Sequence, residues 1–88
     1  MRVTVTRVAG DGSVRRAVVD AAGRDDAARW EERIEQADLG VPPPYRPQAG
    51  EAVYHIRADE LAVQVADRDL TGPLRELVTA VLAEGGDG

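Results

Sequence analysis

The chain has 88 residues, 43% of them apolar and 31% charged, and its 11 arginines against 16 aspartates and glutamates leave a net charge of −5, with no lysine and no cysteine. That length holds one small domain with one sheet and one helical layer, and excludes a two-domain enzyme cleft. The net acidity argues against a nucleic-acid binder and against docking on an anionic membrane, and the missing thiols exclude disulfides, thiolate catalysis and cysteine-held zinc.

Residues 2–8, RVTVTRV, alternate polar and apolar side chains and are rich in β-branched residues, which predicts a strand. Ala9–Ser13 is a turn cluster, and VRRAVVD over 14–20 is a second strand, so the two form a hairpin. AAGRDD breaks the pattern, and Asp25 or Asp26 is placed to cap a helix over 26–38. Ala27, Trp30, Ile34 and Ala37 share one stripe of that helix, while Glu31, Glu32, Arg33 and Glu35 take its wet side. Gly40 and Pro42–Pro44 stop it. Residues 39–50 then form a long loop with polyproline character.

Two more strands are expected at 51–57 and 61–66, joined tightly through 58–60. Thr71 is the expected N-cap of a last helix, with Pro73 in its first turn and Leu74, Leu77, Val78, Val81 and Leu82 along its apolar stripe. The order ββαββα predicts an α+β fold, a four-stranded antiparallel sheet of two hairpins with both helices packed on one face. One domain is expected over 1–84 and a disordered tail over 85–88. The predicted core is Val3, Val5, Val19, Trp30, Ile34, Ile56, Val63, Val65, Leu74, Leu77, Val78 and Val81.

Chemistry-bearing residues are few. Ser13 is the one serine and His55 the one histidine, and no nucleophile elbow surrounds Ser13 to make a triad with Asp11 or Asp67. Glu60, Asp67 and Asp69 read as a solvated turn and a cap rather than a metal site, and one histidine cannot build a His-based zinc centre. GDGSVRR lacks the Walker pattern and runs into a strand, so it is not read as a phosphate loop. The pairs Asp25–Asp26 and Glu31–Glu32 serve capping and solubility, and Trp30 at helical spacing from Ile34 reads as core. The proline loop over 39–50 is either a rigid connector or a docking element for a partner through Tyr45. No catalytic, metal-binding or cofactor-binding residue is expected, and no cofactor. The economical reading is a non-enzymatic binding module. The start of the chain has no signal-peptide pattern, and no stretch has the about 18 apolar residues of a membrane span, so a cytoplasmic location is expected.

Three stretches carry a family resemblance. The first is VTVTRVAGDGSVRRAVVD, a short strand with an arginine, a glycine-containing turn and a basic strand. The second is the acidic helix with Trp30 that runs through IEQADLGVPPP into a proline-bearing loop. The third is AVYHIRADELAVQVADRDLTGPLRELVTAVL. There Tyr54 and Ile56 form an aromatic–x–Ile strand, and Val63 and Val65 a Val–x–Val strand. Leu70, Pro73, Leu74, Arg75 and Leu77 open the last helix. Together these resemble the emfourin family, small protein inhibitors of thermolysin-like metallopeptidases, over nearly the whole chain. Gly72 stands where the family often has proline, and Asp11 separates Gly10 from Gly12 where the family often has a double glycine.

The resemblance implies a bacterial protein that occupies the active-site cleft of a thermolysin-like peptidase, whose zinc is held by two His and a Glu. It implies no metal or catalytic group on the inhibitor, and export, if any, without a conventional signal. A monomer is expected over an oligomer. The candidate contact segment is the hairpin turn Val8, Ala9, Gly10, Asp11, Gly12 and Ser13, where Val8 offers an apolar side chain and the glycines allow close approach. The proline loop with Val41 and Tyr45 is the rival contact surface. A different interaction module, or an accessory subunit of an enzyme, is the alternative function.

Overall fold

Alternation in the first twenty residues produces the expected hairpin. Strand β1 (Arg2–Val8) pairs antiparallel with strand β2 (Val14–Asp20), from Arg2↔Asp20 to Val8↔Val14. Helix α1 (Ala27–Ala37) follows, then strands β3 (Val53–Ala58) and β4 (Leu61–Ala66), a single 3-10 turn over Asp67–Asp69, and helix α2 (Gly72–Glu84). The fold is α+β, in the order ββαββα, and the sheet runs β2-β1-β3-β4, antiparallel throughout. β1 pairs with β3 as well as with β2, so the two hairpins merge along that seam. The computed structural model describes residues 2–86.

The inner face of the sheet buries Val3 and Val5 of β1, Ala17 and Val19 of β2, Tyr54, Ile56 and Ala58 of β3, and Val63 and Val65 of β4. Leu74, Leu77, Val78 and Val81 of α2 and Trp30 of α1 join the same apolar cluster. α2 packs directly on β1 and β2, whereas α1 makes its main contacts with α2. This explains the one predicted core residue that is only partly buried, Ile34. A helix resting mostly on another helix sends a single residue, Trp30, fully inside. Leu39, Leu70, Ala17, Ala21, Ala58 and Ala66 are also buried, beyond the predicted core.

Several local expectations change in detail. Asp26 occupies the N-cap of α1, but its carboxylate caps no backbone amide. It accepts instead from Arg24 Nε at 2.8 Å and from the Trp30 indole Nε1 at 3.2 Å. Asp38, in the left-handed region at φ 50°, ends α1 two residues before the expected Gly40. β3 starts at Val53 rather than at 51, because the Glu51 carboxylate accepts from the backbone amides of Gln48 and Arg68 and so belongs to the loop. Thr71 is the N-cap residue of α2, without a side-chain cap bond. Gly72 beside it has φ +58°, a value proline cannot adopt with its ring fixed near −65°. The expected tail at 85–88 is partly ordered: Gly86 bridges to Val18 at the edge of β2, with N···O distances of 2.9 and 3.1 Å. Asp87 and Gly88 lie outside the described residues.

Leu77 is fully buried at the contact between α2 and the sheet. Leu77→Asp places an unpaired carboxylate there, at a cost of several kcal/mol against a total stability of about 4–13 kcal/mol for a chain of this length. A circular dichroism melt should show loss of the cooperative transition. An unchanged melting temperature would contradict the packing.

Candidate partner-binding surface

The sheet end that carries the β1–β2 turn is held together by internal hydrogen bonds. Ala9 N donates to Ser13 O at 2.8 Å and Gly12 N to Ala9 O at 2.9 Å. Asp11 Oδ1 accepts from both the amide and the hydroxyl of Ser13, at 2.9 and 2.7 Å. The Ser13 hydroxyl and then its amide hold the Asp11 carboxyl below the usual carboxylate range. Residues 10–13 are exposed, and Val14, the next residue, is 63% exposed. Sequence reasoning missed Val14 because alternation alone does not show that the first residue of β2 stands clear of any cover.

Gly10 also makes a close contact within the chain. A Cβ on it would sit 2.2 Å from the carbonyl oxygen of Gly50, so its lack of a side chain serves contact with the proline loop of the same chain. That contact locks the turn to the end of the loop. Glu51 and Arg68 hold the loop end in turn, with Arg68 Nη2 donating to the Arg46 carbonyl at 2.6 Å. The Gln48 amide first, and then the Arg68 amide, hold the Glu51 carboxyl low.

The two candidate loop residues part company. Val41 is 74% exposed and lines a shallow hollow on the helix side, with Gln36, Ala37, Pro73 and Leu74. Tyr45, 40% exposed, lies on the opposite side of the sheet. There Pro42, Pro43, Pro44 and Tyr45 wall a cleft of about 780 Å³ over the outer sheet face. Its floor takes residues from all four strands: Arg16 from β2, Thr4 and Thr6 from β1, His55 and Arg57 from β3, Ala62 and Gln64 from β4. None of Val8–Ser13 lines this cleft. The period-two pattern placed these floor residues off the core, but nothing local in the sequence showed the loop returning above them.

The remaining polar residues are engaged structurally. The Ser13 hydroxyl donates to Asp11, and His55 Nδ1 lies 3.4 Å from Gln64 Nε2. Asp67 accepts from the Tyr54 hydroxyl at 3.2 Å, and the same hydroxyl accepts from Arg7 Nε. Glu60 sits in the β3–β4 turn and Asp67 just past the other end of β4, so about 20 Å of strand separates them. No group of metal-ligating side chains gathers among the described residues. Trp30 is fully buried, with the guanidinium carbons of Arg33 and Arg24 at 4.7 and 5.7 Å from its ring centroid. Its face is covered from within and is not an open ligand platform.

Arg24, through its side-chain hydrogen bond, also lowers the Asp26 carboxyl. Asp11, Asp26 and Glu51 therefore all have depressed native values. Such groups add stability above their unfolded values near pH 4, and that stability is lost as pH falls through the native ones. Melting temperature should be flat from neutral pH to about pH 5 and decline through and below about pH 4. Asp26→Asn should flatten the decline. A melting temperature that rises on acidification would contradict these assignments.

Comparison with family models, with curated proteins and with solved structures returned no match.

Proposed function

We propose that this chain is a protein inhibitor of a thermolysin-like zinc metallopeptidase, blocking the active-site cleft non-covalently through the turn Val8–Ser13. The observation that supports this reading is the pinned geometry of the turn. A segment that enters a peptidase cleft gains affinity when its backbone is ordered before binding. Here two backbone hydrogen bonds, the Asp11–Ser13 pair and the Gly10–Gly50 contact do that ordering. Val14 beside the turn is the exposed apolar side chain that would fill an apolar subsite of the peptidase, with Val8 opposite it in register. Asp11 uses Oδ1 within the turn, which leaves Oδ2 to face the zinc or a cation beside it. In this reading the protein is bacterial, monomeric and cytoplasmic.

The second reading is a non-catalytic adaptor or accessory subunit, favoured by the cleft between the proline loop and the outer sheet face.

Titration of a thermolysin-like peptidase from the same genome, with thermolysin itself in parallel, separates the two readings. The wild-type chain should abolish activity near stoichiometric ratio. The variant Val14→Glu/Asp11→Ala, checked for a retained fold, should inhibit at least about tenfold more weakly, a loss of about 1.4 kcal/mol. Tyr45→Ala should inhibit like wild type. A wild-type chain inactive on both peptidases would sink the inhibitor reading. Full inhibition by the folded turn variant would move the contact away from the turn.

A further inference from the structure

The charges of this chain are unevenly placed. Its net charge is −5, yet Asp20 is the only acidic residue within the four strands. The other described acids lie in turns, loops and helices. The outer sheet face presents Arg2, Arg16, Arg57 and His55 together with that one acid, Asp20, which stands opposite Arg2 in register at the far end of β2; these positions alternate with the buried inner-face residues. Arg7 and Arg15 on the inner side are already occupied, by the Tyr54 hydroxyl and the Leu82 carbonyl. Arg16 and Arg57 are exposed and have no carboxylate partner among the described residues. Both line the 780 Å³ cleft whose far wall is Pro42–Tyr45.

We infer that this cleft binds an acidic, extended polypeptide segment of a partner protein. The register sets the spacing. Arg16 lies opposite Thr6, and Arg57 opposite Thr4, on the two sides of β1. Two strand steps across and two residues along place their backbones about 12 Å apart. An extended chain covers that distance in three to four residues, at about 3.3 Å each, and its alternate side chains share one face. Carboxylates at alternate positions therefore reach both guanidinium groups, which favour paired hydrogen bonds to carboxylate. Thr4, Thr6 and Gln64 supply uncharged hydrogen-bonding groups between them. The proline wall and the Tyr45 ring receive the apolar side chains of the segment. A basic patch on an otherwise acidic molecule also orients such a partner during approach and repels it elsewhere. This inference does not rest on the peptidase reading, because the cleft and the Val8–Ser13 turn share no residue.

The test is fluorescence anisotropy with a fluorescein-labelled peptide of alternating Glu and Leu, against the same peptide with Lys in place of Glu. The acidic peptide should bind and the lysine peptide should not, and binding should weaken as salt is raised. Arg57→Glu should weaken binding about tenfold, and Arg16→Glu/Arg57→Glu should abolish it. Tyr45→Ala should weaken it several-fold at unchanged salt dependence. Thermal melts confirm that each variant is folded. Amide chemical shifts of the wild-type chain, which need no variant, should move at Thr4, Thr6, Arg57 and Gln64 and stay fixed along α1 and α2. The inference is overturned if the acidic peptide does not bind, if the lysine peptide binds equally, or if the folded charge-reversal variants keep wild-type affinity. It is also overturned if shifts concentrate on the helices, or if a labelled single-stranded oligonucleotide binds as tightly as the acidic peptide.

Discussion

Leu77, Val78 and Val81 of α2 belong to the same buried cluster as Val3, Val5, Ala17 and Val19 of the first hairpin, and α2 lies directly on β1 and β2. The other elements take their places from this seating. α1 docks on α2 and sends Trp30 inward, with Arg24 and Arg33 over the indole and Asp26 accepting its N–H. The second hairpin extends the sheet through the β1–β3 seam and contributes Ile56, Val63 and Val65 to the same layer. The described residues hold two helices against a four-stranded sheet, so one face is covered and the other is left to the loops.

Both candidate binding features follow from that one-sided cover. With no second helical layer, the connection from α1 back to β3 passes over the outer face, where Pro42–Tyr45 build a wall and the strands provide the floor. The end of the same loop meets the first turn at Gly10, where only glycine leaves room for the Gly50 carbonyl. Glu51 and Arg68 then tie the loop end to the residues after β4. The turn and the cleft are thus separate surfaces held in place by one loop. The one ion pair involved, Glu51 with Arg68, is long at 4.0 Å and its arginine is nearly half exposed, so it contributes little. Backbone hydrogen bonds and the close glycine contact do more to fix the geometry.

The order of elements was legible in the sequence because each strand carries a period-two pattern and each helix a three-to-four-residue stripe. Residues such as Val63, Val65, Leu77 and Val81 state their role locally. Ala17, Ala21, Ala58 and Ala66 do not, since alanine is as common on surfaces as in tight packing; only the approach of a neighbouring element decides. The caps were half legible. Thr71 and Asp26 stand at the right places, but the Asp26 carboxylate is drawn to Arg24, which precedes the helix, and to Trp30, one helical turn on, in place of the backbone amides a cap would serve. The turn Val8–Ser13 was legible as a turn. Its lock on Gly50 was not, because that contact joins residues forty positions apart. The cleft was the least legible feature. Thr4, Thr6, Arg16 and Arg57 could be placed on the outer face, yet the path of the proline loop depends on long-range bonds such as Arg68 to Arg46.

The central claim is that the chain meets its target with the turn end of the sheet, and not with its helical layer. Amide hydrogen exchange of the chain, free and in complex with a thermolysin-like peptidase, addresses it directly. The account predicts slowed exchange over residues 9–14 on complex formation, with the amides of α1 and α2 unchanged. Protection confined to the helices, with the turn exchanging as in the free chain, would contradict it.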